Sequence, residues 1–283
     1  MASVVVTGTS AGIGLATAVE LGRAGHTVYA TMRNLERGKK LAGIVAAEGL
    51  PVHLSEMDVD SDASVEAGFR AIEQRAGTVD VLVNNAGIER SGATEDLAMA
   101  DIVAVMETNY FGPVRCAKQV LRGMRLKRSG LIVNVASIAG HISTSPLGAY
   151  AASKQALEAI SESLAQEMKM FGVRVAVVEP GIIDTAMAKG IETAEGESVY
   201  PHQRRFAQMF AAALKNPVPP ELVAQKIRWI IESGTWTLRH PVGPDAEGTM
   251  AWRRAMTDEE YIDLNSADDA TWERQVMAQR TRE

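Results

Sequence analysis

The fold of this chain is decided near its start, by Val4-Val5-Val6-Thr7-Gly8-Thr9-Ser10-Ala11-Gly12-Ile13-Gly14. The valine run predicts a buried strand, and the glycines lead from it into a helical pattern. Glycines let a backbone approach a pyrophosphate closely, and a helix N-terminus offers free N–H groups to an anion. The spacing therefore predicts a dinucleotide-binding loop, with a plain tight turn as the alternative. The residues assigned to the cofactor here are Gly8, Ser10, Ala11, Gly12, Ile13 and Gly14.

Outward from this loop, short apolar runs alternate with longer helical stretches. The predicted strands are 4–7, 27–31, 52–57, 79–84, 131–136, 173–179 and 236–239. They are apolar on both faces, as are strands of a parallel sheet covered on both sides. Predicted helices include 15–24, 64–76, 102–127 and 150–171. The alternation predicts an α/β fold, a single Rossmann domain whose doubly wound parallel sheet has about seven strands and helices on both faces.

Composition changes toward the C-terminus. The domain is expected to span residues 1–245, with 186–220 inserted as a substrate-binding flap. Residues 246–283 form an acidic extension that carries Trp252, Tyr261 and Trp272. Because this extension is rich in aromatic side chains, we expect it to pack as helix on its own subunit or a neighbour and to help close the substrate mouth.

The end of the second strand indicates which dinucleotide binds. An acid that holds the ribose hydroxyls usually follows the glycine loop by about 20 residues. No acid stands at the corresponding place in this chain, and Arg33 lies beside it. A guanidinium pairs with a 2′-phosphate, which favours NADP(H) over NAD(H). The alternatives are that Arg33 is a solvated charge and that the chain prefers NAD(H).

The segment Tyr150-Ala151-Ala152-Ser153-Lys154 opens a helical pattern, so the phenol and the ammonium share one helix face. A nearby ammonium is expected to lower the tyrosine pKa from about 10, which suits proton transfer. Ser137 follows the strand 131–136 at the sheet edge where ligands bind in open α/β folds. Taken singly, each of these residues also has an ordinary structural explanation.

Taken together, the ordered motifs resemble the short-chain dehydrogenase/reductase family. The motifs are Thr7-Gly8-x3-Gly12-Ile13-Gly14, Asp58-Val59, Asn84-Asn85-Ala86-Gly87, Asn109, Ser137, Tyr150-x3-Lys154, Pro180-Gly181 and Thr185. The resemblance implies that Tyr150 is the acid and base, with Lys154 lowering its pKa. It implies that Ser137 polarises the substrate carbonyl and that Asn109 orders a water of a proton relay.

The resemblance also implies the rest of the cofactor site. Asp58 and Val59 would contact the adenine, and Thr185 would lie near the carboxamide. The remaining residues assigned to the cofactor are Asn85, Ala86, Gly87, Tyr150, Lys154, Pro180, Gly181 and Ile183.

The segment 28–33 is similar to the branch of this family that contains 17β-hydroxysteroid and retinol dehydrogenases. This similarity implies an alcohol dehydrogenase or carbonyl reductase that acts on bulky apolar substrates. Within 186–220, Phe206 and Phe210 belong to an apolar helical stripe. The residues assigned to the substrate are Ser137, His141, Tyr150, Met187, Phe206 and Phe210. A helix packed on the core, and a loop histidine at 141, are the ordinary alternatives.

Composition limits the remaining classes. No apolar run is long enough to span a bilayer, the start lacks a signal-peptide pattern, and the net charge of −6 gives no support for nucleic-acid binding. Cys116 is the single cysteine, and no metal site is predicted. We expect a cytoplasmic homodimer or homotetramer that acts on a small-molecule alcohol or carbonyl compound. The competing classes are a dinucleotide-binding protein without turnover and a related lyase or isomerase.

Overall fold

The computed structural model describes residues 1–192 and 198–277, and a parallel sheet built outward from the first strand lies at its centre. Its strands are β1 (Ser3–Thr7), β2 (Thr27–Met32), β3 (Val52–Glu56), β4 (Val81–Asn84), β5 (Gly130–Val135), β6 (Val173–Pro180) and β7 (Arg239–Val242). Their order is β3-β2-β1-β4-β5-β6-β7, and every neighbouring pair is parallel. The predicted seven-stranded, doubly wound sheet is confirmed.

Helices cover both faces of this sheet. They are α1 (Gly12–Arg23), α2 (Lys39–Glu48), α3 (Asp62–Ala76), α4 (Met99–Met106), α5 (Gly112–Lys127), α6 (Gly148–Lys169), α7 (Ala186–Glu192), α8 (His202–Ala213), α9 (Pro220–Ser233), α10 (Ala246–Arg254), α11 (Asp258–Ser266) and α12 (Asp269–Trp272). Short 3₁₀ turns lie at Leu35–Gly38 and Ile138–Gly140, and π turns lie at Glu107–Phe111 and Glu273–Met277. No helix in the described part of the chain is both long and apolar enough to cross a membrane.

Two apolar layers hold the helices to the sheet. On one face Leu21 of α1 and Ile227 of α9 are fully buried against the strands. On the other face Phe69 of α3 and Met124 of α5 are buried in the same way. Each such side chain contributes roughly 1.5–3 kcal/mol relative to exposure. The sheet is therefore rigid, and its carboxyl edge is a firm platform for the loops that follow β1, β4, β5 and β6.

Two predicted elements differ in detail. The predicted helix 102–127 is divided by the π turn, because Pro113 lacks the N–H that would continue the regular helical bonds to Asn109. The last strand begins at Arg239 rather than at residue 236. Residues 234–238 before it have no regular secondary structure, and the Thr237 amide donates to Thr235 Oγ1 at 3.1 Å, a local bond that competes with ladder pairing.

Candidate active site

The glycine loop after β1 has the conformation that close approach of a ligand requires. Gly8 and Gly12 have φ angles of 70° and 55°, which favour glycine. A Cβ at Gly14 would lie 2.3 Å from the Gly8 carbonyl oxygen, so a larger residue does not fit there. The Asn85 side chain braces the loop from β4, donating to the Thr7 and Gly8 carbonyls at 2.8 and 3.1 Å. The loop is therefore preformed.

A continuous cavity of about 650 Å³ runs from this loop along the carboxyl edge of the sheet. It brings together most residues that the sequence assigns to cofactor and substrate. Those that line it are Gly8, Ser10, Ala11, Gly12, Ile13, Gly14, Arg33, Val59, Asn85, Ala86, Gly87, Ser137, Tyr150, Lys154, Pro180, Gly181, Ile183, Thr185, Met187, Phe206 and Phe210. Asp58, Asn109 and His141 are assigned residues that do not line it.

Asp58 is turned into its own loop. Its Oδ1 accepts a hydrogen bond from the Asp60 amide at 3.1 Å, and its backbone N–H donates to Ser64 Oγ at 2.9 Å. The following residues Val59 and Asp60 face the cavity instead. Asp58 thus closes a local turn at the adenine end of the cavity, and its contact with the adenine stays a prediction.

The adenosine end of the cavity carries two guanidinium groups. Arg33 is 56% exposed, and its Nη1 lies 3.8 Å from Asp60 Oδ2. Arg37 also lines the cavity, one turn further along in the 3₁₀ helix that Asn34 caps. Sequence reasoning missed Arg37. Its signal was a second arginine four residues after Arg33, in a segment that the Asn34 cap makes helical.

Tyr150 lies in the first turn of α6 and borders the cavity beside Ser137. Ser137 caps the turn that follows β5, since its Oγ accepts from the Ala139 amide at 3.1 Å. Burial raises the pKa of the Tyr150 phenol to about 12, while its hydrogen bond with Ser137 acts in the opposite direction. The expectation that Lys154 lowers this pKa is not met in the protein alone.

Lys154 lies in a buried environment beside the phenol. Its side chain is buried, and Nζ donates to the Val135 carbonyl at 2.9 Å while lying 5.6 Å from the centre of the Tyr150 ring. Burial lowers the pKa of Lys154 to about 8, against the opposing influence of Glu158. With a pKa of about 8, Lys154 keeps most of its positive charge at neutral pH, although burial makes that charge less favourable than in a solvated lysine.

Asn109 lies in the π turn behind the cavity wall and is fully buried. Its Nδ2 donates to the Ile88 carbonyl at 2.9 Å and to Ser153 Oγ at 3.0 Å, and its Oδ1 accepts from the Ile88 amide at 2.8 Å. A Cβ at Gly87 would meet this Oδ1 at 3.2 Å and Lys154 Nζ at 3.7 Å. Asn109 thus ties the loop after β4 to the helix that carries Tyr150.

The far half of the cavity is apolar. Phe206 and Phe210 of α8 lie 4.8 Å apart between ring centres, and Leu147, Ile182 and Ile191 pack with them. Met187 of α7 also lines this half. The wall is completed by residues of the C-terminal extension, namely Thr249, Trp252, Tyr261, Asn265 and Trp272.

The extension is held to α8 by a buried arginine whose contacts the sequence did not predict. Arg205 is 4% exposed, its Nε donates to Asp269 Oδ1 at 2.8 Å, and its Nη atoms donate to the carbonyls of Asn265 and Ala267 at 3.1 and 2.7 Å. The guanidinium also lies 5.5 Å from the centre of the Trp272 ring. No local sequence pattern predicts these contacts, because the partners are about 60 residues apart in the chain.

His141 does not reach the substrate half of the cavity. Its Nε2 lies 2.7 Å from Glu179 Oε1 at the end of β6, so the imidazole faces that buried carboxylate. His141 therefore does not line the cavity, and its assignment to the substrate stays a prediction.

Comparisons with known proteins agree with this arrangement. The family model described as short chain dehydrogenase matches residues 2–196. The uncharacterized oxidoreductase YusZ of Bacillus subtilis is 34% identical over 260 residues, covering 88% of this chain and 91% of YusZ. Human retinol dehydrogenase 8 is 41% identical over 187 residues, covering 65% of this chain and 59% of that protein.

A solved structure extends the likeness to three dimensions. A variant of the actinorhodin polyketide ketoreductase, solved with NADPH, is 32% identical, with a TM-score of 0.76, over 85% of this chain and 95% of that one. The family match, the parallel sheet and the preformed glycine loop lead to one conclusion. The chain belongs to the short-chain dehydrogenase/reductase family of oxidoreductases, which use a nicotinamide dinucleotide.

Proposed function

We propose that this protein is an NADP(H)-dependent oxidoreductase that interconverts an alcohol and a ketone or aldehyde on a bulky apolar substrate. One observation carries the proposal. A continuous cavity joins the glycine loop, the Ser137–Tyr150–Lys154 group and an apolar compartment lined by Phe206 and Phe210. A dinucleotide stretched along the sheet edge and a substrate in the apolar half would meet beside Tyr150.

The residues present fit a nicotinamide dinucleotide. A backbone cradle without side chains at Gly8, Gly12 and Gly14 suits a pyrophosphate at the start of α1. The cofactor, when bound, supplies or accepts a hydride. Phosphate charge would be met by Arg33 and Arg37, which line the adenosine end of the cavity. Their pairing chemistry with a 2′-phosphate supports NADP(H) over NAD(H).

The proposed roles of the reacting residues follow from their placement. In reduction the Tyr150 hydroxyl gives its proton to the carbonyl oxygen of the substrate, and in oxidation the phenolate takes it back. Ser137 Oγ donates a hydrogen bond to that oxygen and stabilises the charge that develops on it. Lys154 supplies positive charge and proton exchange from below the Tyr150 ring. Asn109 positions the helix that carries both.

The substrate class is proposed from the wall of the apolar half. Phe206, Phe210, Trp252 and Trp272 present large aromatic surfaces, which favour bulky apolar compounds. The similarity to human retinol dehydrogenase 8 and to a polyketide ketoreductase supports the same class.

A homodimer or homotetramer is proposed for the assembly. Met99 and Val103 of α4 and Phe111 of the π turn are 70%, 56% and 44% exposed, on helices suited to pairing. Light scattering of the purified protein tests this proposal, and a monomer refutes it.

The deciding experiment is a panel of alcohols, ketones and aldehydes of increasing size, followed through nicotinamide absorbance with NADPH, NADH and their oxidised forms. We expect turnover of bulky apolar carbonyl compounds, with NADPH preferred. Tight cofactor binding without turnover across the panel would instead indicate a dinucleotide-binding protein, and NADH preference would overturn the cofactor proposal.

A further inference from the structure

A cluster of potential metal ligands lies outside the cavity, at the carboxyl edge of β5 and β6. His141 follows β5, Glu158 lies on α6 and Glu179 is near the end of β6. His141 Nε2 is 2.7 Å from Glu179 Oε1 and 4.0 Å from Glu158 Oε1, and the three ligand atoms lie within 4.8 Å of one another. Sequence analysis predicts no metal site, because these residues come from three separate elements.

Two buried carboxylates of the cluster share one guanidinium. The side chains of Glu158 and Glu179 are 6% and 2% exposed, and both face one guanidinium, that of Arg239, at 3.0 and 3.8 Å. Arg239 also pairs with the half-exposed Glu162 at 2.7 Å. The ammonium of Lys154, one turn back on α6, donates to the Val135 carbonyl. Two buried carboxylates that share one guanidinium favour the binding of a further cation.

One oxygen in the cluster is unused. Glu158 Oε2 accepts from Arg239 Nε, whereas the buried Oε1 of the same carboxylate has no hydrogen-bond partner among residues 1–192 and 198–277. This oxygen is the one that lies on the side of His141. Buried polar atoms are almost always satisfied, so an unpaired carboxylate oxygen beside an imidazole nitrogen points to a ligand between them.

We propose that His141 Nε2, Glu158 Oε1 and Glu179 Oε1 bind one divalent transition-metal ion, with Zn²⁺ as the fitting probe. One imidazole and two carboxylates are ligand types that Zn²⁺ takes, at bonds of about 2.0–2.2 Å. Tetrahedral ligands at such bonds lie about 3.3 Å apart, within the range that these atoms already span. Partly exposed His141 gives the ion a route to solvent and completes the site by a small rotation.

The ion would act as a clip rather than as a reactant. It would join the loop that begins at Ser137, the helix that carries Tyr150 and the strand that leads to Gly181. Arg239 would remain as the outer partner of the Glu158 carboxylate, in the way that surrounding hydrogen bonds orient metal ligands. This inference does not depend on the proposed reaction.

The test uses the full chain without a histidine tag, treated with chelator and then titrated with Zn²⁺ by calorimetry. We expect one site with a Kd below about 10 µM and a raised melting temperature, and no binding of Mg²⁺, which disfavours imidazole. Co²⁺ bound at the same site should show visible d–d absorption. Both His141→Ala and Glu158→Gln should weaken Zn²⁺ binding at least about tenfold.

The matched control is His53→Ala, which removes an exposed histidine from β3. This strand is the outer strand at the end of the sheet opposite to β7. It should leave Zn²⁺ affinity unchanged. The proposal would be overturned if Zn²⁺ did not bind with one-to-one stoichiometry, or if wild type and His141→Ala bound Zn²⁺ with equal affinity. Protons would then be the cations that neutralise the cluster. Glu158→Gln keeps the volume of the buried side chain, and His141 is partly exposed. We therefore expect both variants to fold, so that their Zn²⁺ affinities can be compared with that of the wild type.

Discussion

Lys154 Nζ donates a 2.9 Å hydrogen bond to the carbonyl oxygen of Val135, the last residue of β5. The bond joins the helix that carries Tyr150 to the strand that precedes Ser137. It also fixes a buried ammonium below the phenol ring, where no carboxylate of the described part of the chain forms an ion pair with it. The pH behaviour of the site follows from this placement.

The free energy of unfolding should rise with pH between about 8, the pKa of Lys154 in the folded protein, and its ordinary value of 10.5 in the unfolded chain. Burial lowers the folded pKa, so the unfolded chain binds more protons in this window, and the free energy of unfolding increases with pH. The measurement is denaturant unfolding from pH 7.5 to 10 of wild type and Lys154→Met. The free energy of unfolding of the wild type, minus that of the variant, should increase with pH across this range. A difference that does not change with pH would contradict the lowered pKa of Lys154.

Replacing the phenol should remove turnover and leave binding intact. Tyr150→Phe deletes the proton donor but keeps the ring, so we expect kcat to fall by about 10²–10⁴-fold with cofactor affinity nearly unchanged. Steady-state kinetics and fluorescence titration with NADPH measure the two quantities. A variant that retains full activity would refute the proposed role of Tyr150.

Cofactor preference should depend on the two cavity arginines. Arg33→Ala and Arg37→Ala should each raise the KM for NADPH by about 10- to 100-fold, because each removes a charge-assisted contact, and should change the KM for NADH little. Arg23→Ala is a matched control, since Arg23 is 53% exposed but pairs with Glu48 away from the cavity. Equal changes for both cofactors would count against the assignment.

The C-terminal wall should depend on Arg205 and much less on its neighbour. Arg205→Met removes three buried bonds to 265–269, so we expect the free energy of unfolding to fall by about 1–3 kcal/mol and the KM for bulky substrates to rise. Arg204 contacts the same Asp269 at 2.5 Å but is 58% exposed. Arg204→Met should cost at most about 1 kcal/mol. Similar losses in both variants would show that the wall does not depend on buried pairing.

The parts of the structure that sequence predicts are those with local signals. Glycine spacing fixes the first turn, and residues 150 and 154 share a helix face whatever surrounds them. The pKa of Tyr150 was not predictable, because it depends on burial by distant elements. The orientation of His141 toward Glu179 and the contact of Arg205 with Asp269 likewise arise from residues far apart in the chain.

The C-terminal wall has a consequence for how proteins of this family diverge. The family match ends at residue 196, whereas Phe206, Trp252, Tyr261 and Trp272 come after it. The proposed reacting residues therefore lie inside the matched stretch, whereas the apolar half of the cavity is built from residues on both sides of its end. If the proposed function holds, we expect substitutions after residue 196 to alter which compounds the cavity accepts while leaving the proposed reacting residues in place.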